Sequence, residues 1–464
     1  MEITMAEIII DPITRISGFL EIMTEMEDNT VKSAQSRGLL FRGFETMLKG
    51  RYPLDAIYFT ERICGICSAA HSYASALALD QALGLEVPLN DRYLRDIIHG
   101  FEFVQNHLRH FYIMLIPSFV RISSPAVASV RNTTDYRLPD NVNRLIEEHY
   151  ALGYQYSMLA HEGQAVLGGK APHNHGIFAG GVNTEINAYK IEKVRAIIHT
   201  LKDFVDTAMR EDVDLLAHYY QDYFQMGISY PYFMSYGVFD YEEQDISYVK
   251  PGVLVNGLLY TFDPAVISQE IQYTWFVNNT TDEVDIEKPD AYTFIKAPRY
   301  NGMPMEVGPL ARMLISGNYT GGHACMDRII ARMLETSKIL SILSNMIELV
   351  ELLPNGQREF AIPDISQGTG FIDTTRGSLA HFVQIQNQAI EHYSVITPSN
   401  WNLSPRDAYG IPGVIEKSLE GTIVNDFQDP VEIGRIVRSF DPCVSCATHL
   451  VTPKGGKKVI EVNV

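Results

Sequence analysis

The sequence predicts an α+β fold: a mainly helical bundle core with β-rich N- and C-terminal regions and insertions. Three observations carry that prediction. Four long stretches repeat apolar residues at three-to-four spacing, the segment 227–309 is rich in Tyr, Phe, Val, Gly and Pro, and residues 6–35 read as short strands and turns around Asp11-Pro12. The first helical pattern runs over 92–115, where Ile97, Phe101, Val104, Leu108 and Tyr112 share a face. The second covers 141–167, after the start signal Pro139-Asp140. A third spans 185–217, and a fourth spans 327–353 and is closed by Pro354-Asn355-Gly356.

Composition narrows the function. The 464 residues include 46% hydrophobic and 20% charged side chains, an ordinary globular balance. A net charge of −19 with no basic stripe excludes a general nucleic-acid binder, which needs a positive face for phosphate. Five cysteines in so long a chain do not make a disulfide scaffold. The start, Met1-Glu2-Ile3-Thr4-Met5-Ala6-Glu7, lacks the basic and apolar regions of a signal peptide. No uncharged apolar run reaches the roughly 18 residues of a membrane span. The expectation is a soluble chain with no signal peptide or transmembrane segment of its own.

Four of the five cysteines form two pairs near opposite ends: Cys64-Gly65-Ile66-Cys67 and Cys443-Val444-Ser445-Cys446. Thiolates at this spacing suit zinc, nickel or iron. A structural zinc site is usually local, so closure by the whole fold favours a buried catalytic centre. Arg62 beside the first pair would favour thiolate over thiol, and His71, four residues past Cys67, could hydrogen-bond to a sulfur. Redox disulfide and zinc-knuckle readings remain open for the first pair alone. Asp441 and His449 bracket the second pair, and His449 could be a further ligand. Cys325 belongs to neither pair and reads as a buried structural thiol. His173 and His175 fit either the active-site neighbourhood, a subunit interface or an ordinary interior.

In context these pairs resemble the signatures of the large subunit of nickel–iron hydrogenases. The strings Arg62-Ile63-Cys64-Gly65-Ile66-Cys67 with His71 and Asp441-Pro442-Cys443-Val444-Ser445-Cys446 with His449 carry the resemblance. Asp11-Pro12-Ile13-Thr14-Arg15-Ile16, Phe41-Arg42-Gly43-Phe44-Glu45, Gly168-Gly169-Lys170-Ala171-Pro172-His173, Met305-Glu306-Val307-Gly308-Pro309 and Trp401-Asn402-Leu403-Ser404-Pro405 follow in family order.

The resemblance implies reversible heterolytic cleavage of dihydrogen. Cys64 and Cys443 would be terminal nickel ligands. Cys67 and Cys446 would bridge nickel to an iron that also binds carbon monoxide and cyanide. Cys443 would take the proton, and Arg376 would hang over the open coordination position. Glu45 and His449 match magnesium ligands. Residues 450–464 match an extension removed by a maturation protease after nickel-insertion factors have acted, leaving a single catalytic domain over 1–449. With no spare cysteines for an iron–sulfur cluster, electrons would pass to an iron–sulfur small subunit. That partner could hold the chain at a membrane or export it with itself; otherwise the chain is cytoplasmic.

This sequence departs from the family at the proton path. Ser17 stands where most members have glutamate, and a hydroxyl passes a proton but does not hold one at neutral pH. Ser118 replaces an aspartate of many relatives, and Asp373, Thr374 and Thr375 replace the usual residues before Arg376. Two other readings compete: an electron-transfer subunit resembling the quinone-site subunit of respiratory complex I, whose group has generally lost these cysteines, and a structural zinc protein.

Overall fold

The computed structural model describes residues 5–123, 133–279, 283–353 and 359–444. The chain opens with an antiparallel three-stranded sheet, Met5–Ile10, Leu20–Glu27 and Thr30–Gly38, with the second strand in the middle. Ile10 faces Ile22, and Leu20 faces Gly38. Alternating apolar positions of the middle strand, Leu20 and Ile22, are fully buried, as a one-sided sheet requires.

The bundle is built on the Leu89–Leu108 helix, which packs against the Asp140–Gly168 and Cys325–Met346 helices. Ile97, Phe101, Val104 and Leu108 are all buried, but so is every residue from Tyr93 to Leu108, so this stretch is enclosed all round rather than on the one face the pattern implied. From Arg109 to Leu115 the backbone widens into a π-helical turn, anchored where His110 Nε2 donates to the carbonyl of Arg438 at 2.6 Å. The third pattern is two helices, Ala188–Phe204 and Arg210–Tyr219, separated by a second π-helical turn at Val205–Met209. The fourth ends at Met346, followed by a 3-10 turn at Ile347–Leu349. The 227–309 segment holds short strands in small antiparallel ladders, as expected.

A helix and a sheet flank the first cysteine pair and the Thr375-Arg376 turn. The Ser68–Leu83 helix begins directly after Cys67 and is buried almost all round, which is why its Ala- and Ser-rich sequence shows no polar face. It lies on an antiparallel meander of Ile365–Thr374, Gly377–Gln386 and Ala389–Ile396. The approach is very close: a Cβ on Gly370 would sit 2.0 Å from the Ala74 carbonyl oxygen. The β-rich part of the C-terminal region is this meander. The described chain beyond it adds no further strand and alternates loops with short helices at Pro398–Asn402, Val414–Leu419 and Val431–Ser439. One apolar core runs from Ile8 to Val444, and a smaller cluster surrounds Trp401 and Met305.

Candidate metal centre

The fold brings the first cysteine pair together with Cys443. Cys64 ends a short 3-10 turn, Glu61–Ile63, and leaves it in extended backbone, while Cys67 is the N-cap of the Ser68–Leu83 helix. Arg42 holds this loop by donating from Nη1 to the Arg62 carbonyl at 3.0 Å and from Nη2 to that of Ile63. Cys443 follows the Val431–Ser439 helix. Its N–H donates to Ser399 Oγ at 3.2 Å. Ser17 runs beside it in a parallel bridge: Ser17 N–H donates to the Pro442 carbonyl at 3.2 Å, and Val444 N–H donates to the Ser17 carbonyl at 2.7 Å. The N-terminal segment thus clamps the backbone on either side of Cys443.

The Sγ atoms of Cys64, Cys67 and Cys443 lie within 4.8 Å of one another, and Cys64 and Cys443 are 3.4 Å apart. All three are buried. Among the described residues no other group of three or more His, Cys, Asp or Glu side chains converges this closely. The Ile66 and Cys67 N–H groups point at Cys64 Sγ at 3.3 and 3.4 Å. Buried thiolates in such a cluster repel one another unless a cation lies among them, so the donor set fits a soft metal. Cys446 and His449 lie outside the described residues.

Arg376 supplies the organic cation of the site. It occupies the two-residue turn between the first two meander strands, where Thr374 pairs with Gly377. Its Nε donates to the Asp441 carbonyl at 2.9 Å, and its Nη2 donates to Asp441 Oδ1 at 3.1 Å and to Asn106 Oδ1 at 2.8 Å. Asn106 closes the triangle by donating to Asp441 Oδ2 at 2.7 Å. Burial opposes the charge, but Asp441 and the thiols of Cys443, Cys67 and Cys64 hold the guanidinium protonated. Burial likewise pushes the Asp441 carboxyl up, and Arg376, His110, Arg332 and Asn106 more than reverse it. Arg376 Nη1 is buried and has no hydrogen-bond partner among the described residues. A rigidly held cation with a spare donor beside three sulfurs is ready for a ligand of the cluster.

Other expected residues fall differently. Arg62 does not serve the thiols: it is partly exposed and pairs with Glu61 Oε2 at 3.0 Å, so Arg376 takes the role expected of it. His71 Nδ1 meets His381 Nε2 at 3.1 Å, and His381 Nδ1 meets the Tyr393 hydroxyl at 2.7 Å. Burial brings His71 down to about 4, with Cys443 opposing and Arg42 and Arg376 reinforcing the shift. Its imidazole is therefore neutral at neutral pH. Ser118 Oγ accepts from Arg438 Nη1 at 3.2 Å, and its carbonyl accepts from Arg435, a structural use. Asp373 accepts from Ser235, Ser378 and the Tyr236 N–H, which fixes the strand leading to Arg376. Glu45 Oε1 accepts from the Val395 N–H at 2.8 Å. Cys325 is buried, with its thiol on the Arg435 carbonyl at 3.6 Å and pushed up to about 11 by burial, as a structural thiol should be. Asn106 was missed: a lone amide in an apolar helix pattern gives no signal of what it faces.

Comparison with known proteins agrees with this geometry. The profile of the nickel-dependent hydrogenase family matches residues 42–135 and 129–449. The chain is 32% identical over 497 residues to the periplasmic NiFeSe hydrogenase large subunit of Desulfomicrobium baculatum, covering 97% of this chain and 96% of that one. It is 28% identical over 558 residues to the hydrogenase-2 large chain of Escherichia coli K12, covering 97% and 98%. Its fold matches the reduced Ni-Fe-Se hydrogenase from D. vulgaris Hildenborough with a TM-score of 0.91 at 34% identity, covering 96% of this chain and 100% of that one.

Proposed function

The chain belongs to the nickel-dependent hydrogenase family as a large, catalytic subunit, and from that premise we propose a division of labour among its own residues. Cys64 and Cys443 would be terminal ligands of nickel, and Cys67 and Cys446 would bridge nickel to iron. The convergence of Cys64, Cys67 and Cys443 from opposite ends of the chain carries this reading. NiFeSe relatives are named for selenium; here all four proposed ligand positions are cysteine. When bound, the metal pair, with carbon monoxide and cyanide on iron, supplies the redox-active Lewis acid that polarises dihydrogen.

The protein's part is acid–base and electrostatic. The Cys443 thiolate takes the proton of heterolysis, and the Ser17 segment fixes its backbone. Arg376, held by Asp441 and Asn106, stabilises negative charge on the sulfurs and offers Nη1 to what enters the cluster. Buried and without bulk water, these groups interact far more strongly than in solution. Ser17, whose backbone runs beside Cys443, would pass a proton from it without storing it.

Electrons leave for an iron–sulfur small subunit. Beyond the four paired cysteines only Cys325 remains, too few for a cluster of the chain's own. The thiol cluster also argues against an electron-transfer subunit resembling that of complex I. Glu45, with His449, would hold magnesium through hard oxygen and imidazole ligands, and residues 450–464 would be removed by a maturation protease after nickel insertion. The continuous core supports one domain over 1–449. Among the described residues no helix is long and apolar enough to cross a membrane. A relative is named as periplasmic, so co-export with the small subunit is the localisation we favour. The test is hydrogen-dependent dye reduction and hydrogen–deuterium exchange by the matured heterodimer. Both activities are expected, and a fully metallated complex lacking both would refute the reading.

A further inference from the structure

A proton released at Cys443 must cross a packed interior, and the Ser17 hydroxyl cannot store it. The buried carboxyls around the thiols divide into two kinds. Asp441 is tied to Arg376 and Asn106 and stays ionised. Glu335 is gripped by both sides of the Arg312 guanidinium, at 2.6 and 2.8 Å, and stays ionised too. Glu102 is in no ion pair among the described residues, and Glu61 pairs only with Arg62, whose side chain is half exposed.

Glu102 sits one helical turn before Asn106 on the Leu89–Leu108 helix, so the two share a face. Asn106 reaches the Arg376–Asp441 pair; Glu102 reaches the first turn of the helix that begins after Cys67. Its two oxygens accept from the Ala69 N–H at 2.6 Å and the Ala70 N–H at 2.9 Å. The side chain is buried. On the other side of that helical turn, Ser72 donates to the Ala69 carbonyl at 3.0 Å and lies against Glu61. Asn174 Nδ2 spans Ser72 Oγ at 2.9 Å and Glu61 Oε1 at 3.2 Å. Glu61 then pairs with Arg62, whose side chain is 46% exposed. Glu102 and the Ser72–Asn174–Glu61 group thus meet the same helical turn after Cys67, at the Ala69 N–H and the Ala69 carbonyl, and Glu61 leads on to the surface.

We propose that Glu102 is the carboxyl that receives the proton from the thiol cluster and hands it to Glu61, and through Glu61 to solvent. A thiol S–H bond breaks and a Glu102 O–H bond forms, with water carrying the proton across the gap; the Glu102 proton then passes to the Glu61 carboxylate, beside the Ser72 hydroxyl, and on to solvent. No electron travels this way. The charged groups bearing on Glu102 are Arg376 from the meander turn and Glu61 from the 3-10 turn, together with the Ala69 and Ala70 amides. Burial dominates, lifting Glu102 to about 8 against the two amides and Arg376, while Glu61 adds to the rise. Burial also lifts Glu61 to about 7, against Arg62, Lys170 and Ser72. Both carboxyls therefore gain and lose protons near neutral pH, which suits a carrier.

This inference rests on the thiol cluster being the metal site, and the test separates the two. In the matured heterodimer, Glu102→Gln should keep nickel and iron and lose roughly 10- to 100-fold in hydrogen oxidation and hydrogen–deuterium exchange. Ser17→Glu placed in the same variant should restore part of the exchange. Infrared spectra of the unmutated protein should show a carboxylic-acid carbonyl band that fades as pH rises through the neutral range and shifts in Glu102→Asp. This last readout needs neither turnover nor a tolerated amide. Turnover of the metal-replete Gln variant within twofold of the parent would overturn the proposal, as would a carbonyl band that Glu102→Asp leaves unmoved. Loss of both metals from the unmutated protein would instead indict the metal-site reading itself.

Discussion

Arg376 and Asp441 meet twice: Nε on the aspartate carbonyl at 2.9 Å and Nη2 on its carboxylate at 3.1 Å. Because Asp441 lies two residues before Cys443, this double contact fixes the guanidinium relative to Cys443. A lysine in its place would keep the charge and lose the planar fork. Arg376→Lys should lower hydrogen turnover by ~10²–10³-fold while leaving nickel and iron content unchanged. Metal analysis of the variant beside its dye-reduction rate checks both halves.

Cys64→Ser should abolish nickel retention. A serine hydroxyl stays protonated where a thiol ionises, and oxygen is a poor ligand for a soft site. The variant should fold, since the apolar core does not depend on one sulfur atom, and circular dichroism should match the parent. Metal analysis should find nickel absent.

The Arg376 turn depends on Gly377. Its φ is +129°, and a Cβ there would lie 2.5 Å from Val307 Cγ2 and 2.7 Å from the Gly308 nitrogen. Gly377→Ala should cost ~1–3 kcal/mol in stability through backbone strain and overpacking. It should also reduce turnover by displacing Arg376. Thermal unfolding and dye reduction on the same preparation are the measurements.

A pH effect arises at Glu335, which holds Arg312, His107 at 2.7 Å and the Tyr248 hydroxyl at 2.5 Å. Burial alone would raise this carboxyl, but Arg312 and His107 outweigh it and bring it from 4.5 down to about 2. A depressed carboxylate contributes stability above its unfolded value and loses it as acid protonates the folded form. The parent should therefore lose stability toward urea as pH falls from about 4.5 to about 2. In Glu335→Gln that part of the loss should be missing, and stability at neutral pH should be lower by ~3–5 kcal/mol because Arg312 loses its two-oxygen partner and keeps, as an ion pair, only the longer contact to Asp373 at 3.4 Å. Urea titrations across this range test the sign.

The sequence made the cysteine pairs legible because their spacing is fixed, and it made the long helices legible but not their faces. Ile97, Phe101, Val104 and Leu108 are buried, and so are the polar residues between them, from Asp96 to His107. The π-helical turn at Arg109–Leu115 leaves no such mark, since its anchor, the Arg438 carbonyl, comes from far along the chain. The meander was hidden for another reason. Gly368 and Gly370 interrupt its first strand because they lie against the carbonyls of Ala78 and Ala74, where a side chain would collide. Glu102 and Asn106 were equally invisible: polar residues inside an apolar pattern disclose their partners only once the helices pack.

The central claim is that the cysteine pairs close one nickel–iron site, and metal quantification of the purified, matured heterodimer tests it most directly. Nickel and iron should copurify with the large subunit in equal amounts after the small subunit's iron is subtracted, and both should be lost together in Cys443→Ser. Zinc as the sole metal at the large subunit, or nickel retained without Cys443, would contradict the account.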